Sequence, residues 1–143
     1  MSTVLFIILW PALWLFLPLT RRTRAVIVKD GKILLVKNFA APDRWALPGG
    51  GIKRRESVIQ ALGRELEEEL GVQIASAIEL VKEPIVFHQY GLLLRYHFVA
   101  VELPADIHIK KNWEIRDVQW LPIDKLTDVA PEVTRGLALK ANR

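Results

Sequence analysis

The sequence predicts an α/β or α+β fold, a mixed sheet layered with helices, with α/β the reading adopted. Three observations carry that expectation. Short apolar runs of β type are separated by turn signals, a well-capped amphipathic helix lies among them, and a long antiparallel section precedes a second helical run. At 143 residues the chain can hold one compact domain with a true core. It is read as residues 24–143, preceded by an apolar segment with a basic flank over residues 1–23.

The first segment differs from everything after it. Residues 2–20 carry no charge, and eleven of them are Val, Leu, Ile or Phe. As a helix they would span about 28 Å, close to the roughly 30 Å hydrocarbon core of a bilayer. The eleven residues favour insertion by roughly 3 to 7 kcal/mol, against about 3 kcal/mol for a proline such as Pro11 mid-helix. The segment reads as a single-pass membrane anchor, ahead of a cleaved signal peptide or a buried helix. Arg21, Arg22 and Arg24 follow it, so the positive-inside rule places the N-terminus outside. The expected location is an inner or plasma membrane with the domain cytoplasmic. Removing those three arginines from 20 basic and 16 acidic residues leaves 17 against 16, too balanced for a nucleic-acid-binding surface. With no cysteine, disulfides and thiolate chemistry are excluded.

Further along, runs at 25–28 and 33–36 flank Asp30-Gly31, whose residues tolerate the positive φ of a tight hairpin turn. Residues 38–43 read as loop, and Pro48-Gly49-Gly50-Gly51 interrupts regular structure. Ser57 with Gln60 forms a capping box, and Gly71 supplies the stop of a helix over 58–70. Strands are expected near 77–81, 85–89, 92–101 and 118–121, and a last helix over 132–139.

The helix at 58–70 carries Glu65, Glu67, Glu68 and Glu69. At about 100° per residue, Ile59, Leu62, Leu66 and Leu70 form one arc, and Glu65, Glu68 and Glu69 share the adjacent one. Glu67 points elsewhere, and Arg64 lies off the cluster. At about 6 Å and an effective dielectric of about 20, each like-charged pair repels by roughly 3 kcal/mol. Two arrangements relieve this. Either a divalent cation such as Mg²⁺ binds the three carboxylates with waters and substrate phosphate, or the face is solvated and one carboxylate has a raised pKa. Gly49, Gly50 and Gly51 let backbone approach a ligand closely, although an ordinary turn has the same composition. Lys53, Arg54 and Arg55 follow, as cations for phosphate oxygens or simply for solvent.

Gly50, five residues, Glu56, seven residues, then Arg64-Glu65-Leu66-Glu67-Glu68-Glu69-Leu70-Gly71-Val72 resembles the Nudix box, with all nine fixed positions filled. The Asp30-Gly31 turn, Trp45-Ala-Leu-Pro-Gly-Gly and Trp120-Leu-Pro are also similar to Nudix hydrolases, so the resemblance covers residues 24–143. It implies an α/β/α sandwich and hydrolysis of a diphosphate linkage in a nucleoside diphosphate-X substrate. It further implies Glu68 and Glu69 as principal ligands of Mg²⁺ or a substituting Mn²⁺, and Glu65 as a further ligand or activator of water. The Gly49 carbonyl would complete the metal's shell, while Arg64 and Glu56 would form a structural ion pair. Glu114 is the candidate for an additional acid from outside the box and Asp117 a weaker one, each with a surface role as the alternative. Tyr90, Phe87 and Trp113 are candidates to stack on substrate, with core packing as the alternative. His88, His97 and His108 lack ligand spacing and read as structural or exposed.

Overall fold

The computed structural model describes residues 21–39, 41–89 and 91–143. The predicted apolar helix at 2–20 and Tyr90 lie outside the described residues. Among the described residues, no helix is long and apolar enough to cross a membrane.

Among the described residues, eight strands and two α-helices build the domain: β1 (Arg21–Val26), β2 (Val28–Lys29), β3 (Lys32–Asn38), β4 (Ala41–Ala46), α1 (Val58–Leu70), β5 (Ser76–Glu79), β6 (Ile85–Gln89), β7 (Leu92–Glu102), β8 (Ile115–Pro122) and α2 (Pro131–Ala141). They form two four-stranded sheets. In one, β7 pairs in parallel with β1, and its other edge takes β6 and then β5, both antiparallel. In the other, β3 pairs antiparallel with β8 on one edge, and with β2 and β4 on the other.

Strand alternation explains the layering. Ala25, Leu34, Val36, Val99 and Val101 join Ala61, Leu62, Leu66 and Leu70 of α1 in one core cluster. Their neighbours Val26, Ile33, Leu35 and Phe98 join Val133 of α2 in the other. Both faces are therefore covered, and these strands read as unbroken apolar runs. Close packing of α2 requires Gly136, because a Cβ there would lie 2.9 Å from Val26 and 3.1 Å from Leu47. The predicted α/β fold with helices is present, here with two sheets, one mixed and one antiparallel.

Local signals placed α1 correctly. Ser57 accepts from the Gln60 N–H, Gln60 caps back, and Gly71 closes the helix at φ 64°. Asp30 and Gly31 both have positive φ, as the tight turn requires.

Three expectations need correction. The run at 25–28 is not one strand, because β1 ends at Val26 in one sheet and β2 starts at Val28 in the other. The expected loop at 38–43 contains the start of β4, which pairs with β3 across an irregular register. Ile59 is exposed at 37%, and α1 buries Val58 and Ala61 in its place. Arg21, Arg22 and Arg24 all lie in β1.

Candidate active site

The site grows from the contact between the glycine loop and two elements. Residues 48–52 run along the edge of β1 that β7 leaves open. Ala25 donates to the Pro48 carbonyl, Thr23 to that of Gly50, and Ile52 to that of Arg21, each at 2.9 Å. The Gly49 carbonyl takes no part in this ladder. Gly49 has φ 139°, and a Cβ there would lie 2.2 Å from the Thr23 carbonyl oxygen. A Cβ on Gly50 would lie 2.3 Å from the Glu65 carboxylate, so that carboxylate rests directly on the loop.

Arg64 locks loop to helix. Its Nε and Nη2 donate to the two oxygens of Glu56 at 2.7 and 3.0 Å, and Nη2 also donates to the Gly51 carbonyl at 2.9 Å. Its Nη1 donates to Glu65 at 2.8 Å and to Glu68 at 3.4 Å. All five guanidinium N–H groups are thus matched to acceptors. The hydrogen bond from Arg64 holds Glu56 well below the usual carboxylate range, at about 2. Arg64 therefore lies within the acidic cluster, not off it as helical spacing suggested. A long side chain reaches over a neighbouring turn that its Cα position does not face.

The four glutamates of α1 have different fates. Glu69 is 7% exposed and Glu65 half-buried, whereas Glu67 and Glu68 are exposed. The Gly49 N–H donates to Glu69 at 3.4 Å, a weak bond for a buried carboxylate. Burial first, and then the nearby Glu65, push the Glu69 carboxyl up to about 7. Among the described residues, no group of three or more acidic or histidine side chains is assembled as a metal cage. Arg64 Nη1 holds Glu65 and Glu68 together, while Glu69 accepts from the Gly49 N–H instead. The donor chemistry nevertheless fits Mg²⁺. That ion needs only one or two protein carboxylates beside waters and phosphate, and positive charge relieves the strain on Glu69.

Glu65, Glu69, Gly49, Gly50 and Gly51 line a cleft of about 800 Å³. Glu114 also lines it, and its charge reaches Glu69. Its loop is tied to α1, with Asn112 donating to the Glu69 backbone carbonyl at 2.9 Å. Trp113 lines the cleft at 80% exposure, so the core alternative for it is overturned. Phe87 packs 5.1 Å from the Tyr96 ring within the second core cluster, away from the cleft wall. Arg54 and Arg55 are exposed and outside the cleft. Asp117 is half-buried in β8 and bonds to the Gln119 side chain. His88 and His108 are exposed; His97 is buried, and that burial lowers its pKa.

Sequence reasoning missed six charged or aromatic cleft residues: Arg22, Arg24, Phe39, Arg44, Tyr96 and Glu132. Arg22, Arg24 and Val26 alternate in β1, a period-two signal that was available but was attributed to a membrane flank. Glu132 sits in the first turn of α2, where an acid is ordinary.

The NUDIX domain family model matches residues 19–138. A CTP pyrophosphohydrolase of Escherichia coli is 43% identical over 88 residues, covering 59% of this chain and 61% of that protein. An RNA pyrophosphohydrolase of Teredinibacter turnerae is 41% identical over 90 residues, covering 62% of this chain and 51% of that protein. The crystal structure of a MutT NUDIX hydrolase from Burkholderia pseudomallei superposes with a TM-score of 0.71 at 26% identity, over 83% of this chain and 95% of its own. With the complete box laid out on the loop, helix and cleft described above, the chain belongs to the Nudix hydrolase family.

Proposed function

We propose that this chain hydrolyses a diphosphate linkage in a nucleotide-type substrate, supported by Mg²⁺ or Mn²⁺, while tethered to an inner or plasma membrane through residues 2–20. Relatives named for CTP and for RNA share one chemistry, a phosphoanhydride attached to a nucleoside. The observation that carries the reading is Glu69, a carboxylate buried beside Glu65 in a cleft that also holds arginines. Glu65, Glu68 and Glu69 with the Gly49 carbonyl are the groups that would hold the metal. Bound there, the ion supplies charge neutralisation and acidifies water. The protein's own contribution is positional. Arg64 orients Glu65, Arg22 offers charge to phosphate oxygens, and Glu65 and Glu69 would accept a proton from attacking water.

The test is a panel of nucleoside triphosphates and diphosphate-linked nucleotides with the full chain in detergent micelles. Turnover that requires the divalent ion is expected, with Glu69→Gln lowering it by about 10²- to 10⁴-fold. No turnover of any member, or a wild-type rate in Glu69→Gln, overturns the reading. A second reading, a non-catalytic nucleotide sensor, draws on Glu68, whose side chain is 55% exposed and paired with Arg64. Tight nucleotide binding that leaves the phosphates intact would establish it instead.

A further inference from the structure

A buried charge pair on the cleft wall is not used by the chemistry above. Arg24 and Glu132 line the cleft at 7% and 2% exposure. Their closest atoms, Arg24 Nε and Glu132 Oε1, are 4.0 Å apart, beyond hydrogen-bonding distance. The same molecule shows what a structural pair looks like, in Arg64 and Glu56 at 2.7 Å. Neither Arg24 Nε nor Glu132 Oε2 has a hydrogen-bond partner among the described residues. Arg24 donates only a long 3.5 Å bond to the Thr23 carbonyl. Its guanidinium is fixed by other means, stacked 4.9 Å over the Tyr96 ring, whose hydroxyl is anchored on Gln89 at 3.0 Å. Buried charges left unpaired carry a large desolvation cost, and a ligand with complementary groups removes it.

The complementary ligand edge has N–H donors for the carboxylate beside a carbonyl oxygen for the guanidinium. Exposed aromatic rings line the same cleft, Phe39 at 63% and Trp113 at 80%, and present faces on which a planar base can stack. We propose that Glu132 and Arg24 read the nucleobase and select guanine. Guanine presents N2–H, N1–H and O6 in a row, two donors for one carboxylate and then an acceptor for the arginine. Adenine has no carbonyl, and uracil and cytosine lack two adjacent donors. Arg24 also lies near enough to Glu69 to lower its pKa, so the base subsite and the acidic group share one cleft. This assignment rests on the nucleotide reading of the cleft.

Calorimetric titration of GMP and AMP into the full chain in micelles tests it without requiring turnover, alongside kcat/KM for GTP and ATP. The wild type is expected to prefer GMP. Glu132→Gln places an amide N–H₂ against the base donors and should weaken GMP binding by about 10- to 100-fold, narrowing the GMP-to-AMP ratio. Arg24→Lys, which keeps the charge but loses the fork, should narrow the same ratio and serves if the first variant does not fold by circular dichroism. Equal GMP and AMP affinities in the wild type, or equal losses for both ligands in the variants, overturn the assignment. A GMP preference without hydrolysis of any triphosphate sinks the hydrolase reading and leaves the subsite standing. Hydrolysis with base indifference does the reverse.

Discussion

At the scale of single residues, Glu69 ties stability to pH in a direction opposite to that of most carboxylates. Its pKa is pushed up to about 7 in the fold, against 4.5 for an ordinary glutamate. Because the folded value is the higher one, the associated stability is fully present below pH 4.5 and is lost as pH rises through about 7. At pH 8 that loss is roughly 3 kcal/mol, on the scale of 1.4 kcal/mol per pKa unit. Glu56 acts in a separate window, with stability present above 4.5 and lost as pH falls towards about 2. Thermal denaturation of the metal-free chain should therefore show Tm falling between pH 5 and pH 8, and Glu69→Gln should flatten that fall. Mg²⁺ should raise the wild-type Tm most at pH 8, where Glu69 is ionised. Parallel curves for wild type and variant would remove Glu69 as the cause.

At the scale of elements, the glycine loop separates folding from chemistry. A Cβ at Gly49 meets backbone, the Thr23 carbonyl at 2.2 Å, at a φ of 139° that side chains rarely adopt. Neither the strand nor the loop can yield, so Gly49→Ala should cost about 2 kcal/mol or more in stability, read as a drop in denaturation midpoint. A Cβ at Gly50 meets only the end of a side chain, the Glu65 carboxylate at 2.3 Å. Gly50→Ala should keep most of the midpoint and lose turnover, because Glu65 is displaced from the position that Arg64 gives it. If Gly50→Ala unfolds the chain while Gly49→Ala does not, this division of roles is wrong.

The same elements show what was legible in advance. Helix α1 could be read to the residue because its caps, Ser57, Gln60 and Gly71, are all local. The glycine loop could be read as special, but not as a partner of β1, since that pairing joins residues far apart in sequence. Strand β4 was hidden by the Pro42-Asp43 composition of its first half, which ordinarily signals a turn. The acidic face was legible as a cluster, whereas the sorting of its members was not. Glu69 is buried and Glu68 exposed because of how α1 sits against the loop, a tertiary fact. Glu132 left no signal beyond an acid at a helix start.

At the scale of the whole molecule, β1 begins at Arg21, immediately after the apolar segment at 2–20. If that segment spans a bilayer, the site lies close to the membrane surface. Arg24, three residues into β1, already lines the cleft, and a strand advances only about 3.3 Å per residue. The fold also revises the charge argument for orientation. Arg24 is 7% exposed and Arg22 is half-buried in the cleft wall, so of these three arginines only Arg21 is exposed. On the proposed tether, insertion would therefore rest on apolarity, at a margin of a few kcal/mol after Pro11 is counted. Two measurements follow. The full chain should pellet with membranes and resist carbonate extraction, whereas deletion of Met1 to Thr20 should move it to the supernatant with its fold intact. Protease added to sealed inside-out vesicles should digest the domain, whereas right-side-out vesicles should protect it. A full chain that stays in the supernatant without detergent removes the tether, and digestion only in right-side-out vesicles places the cleft on the opposite side.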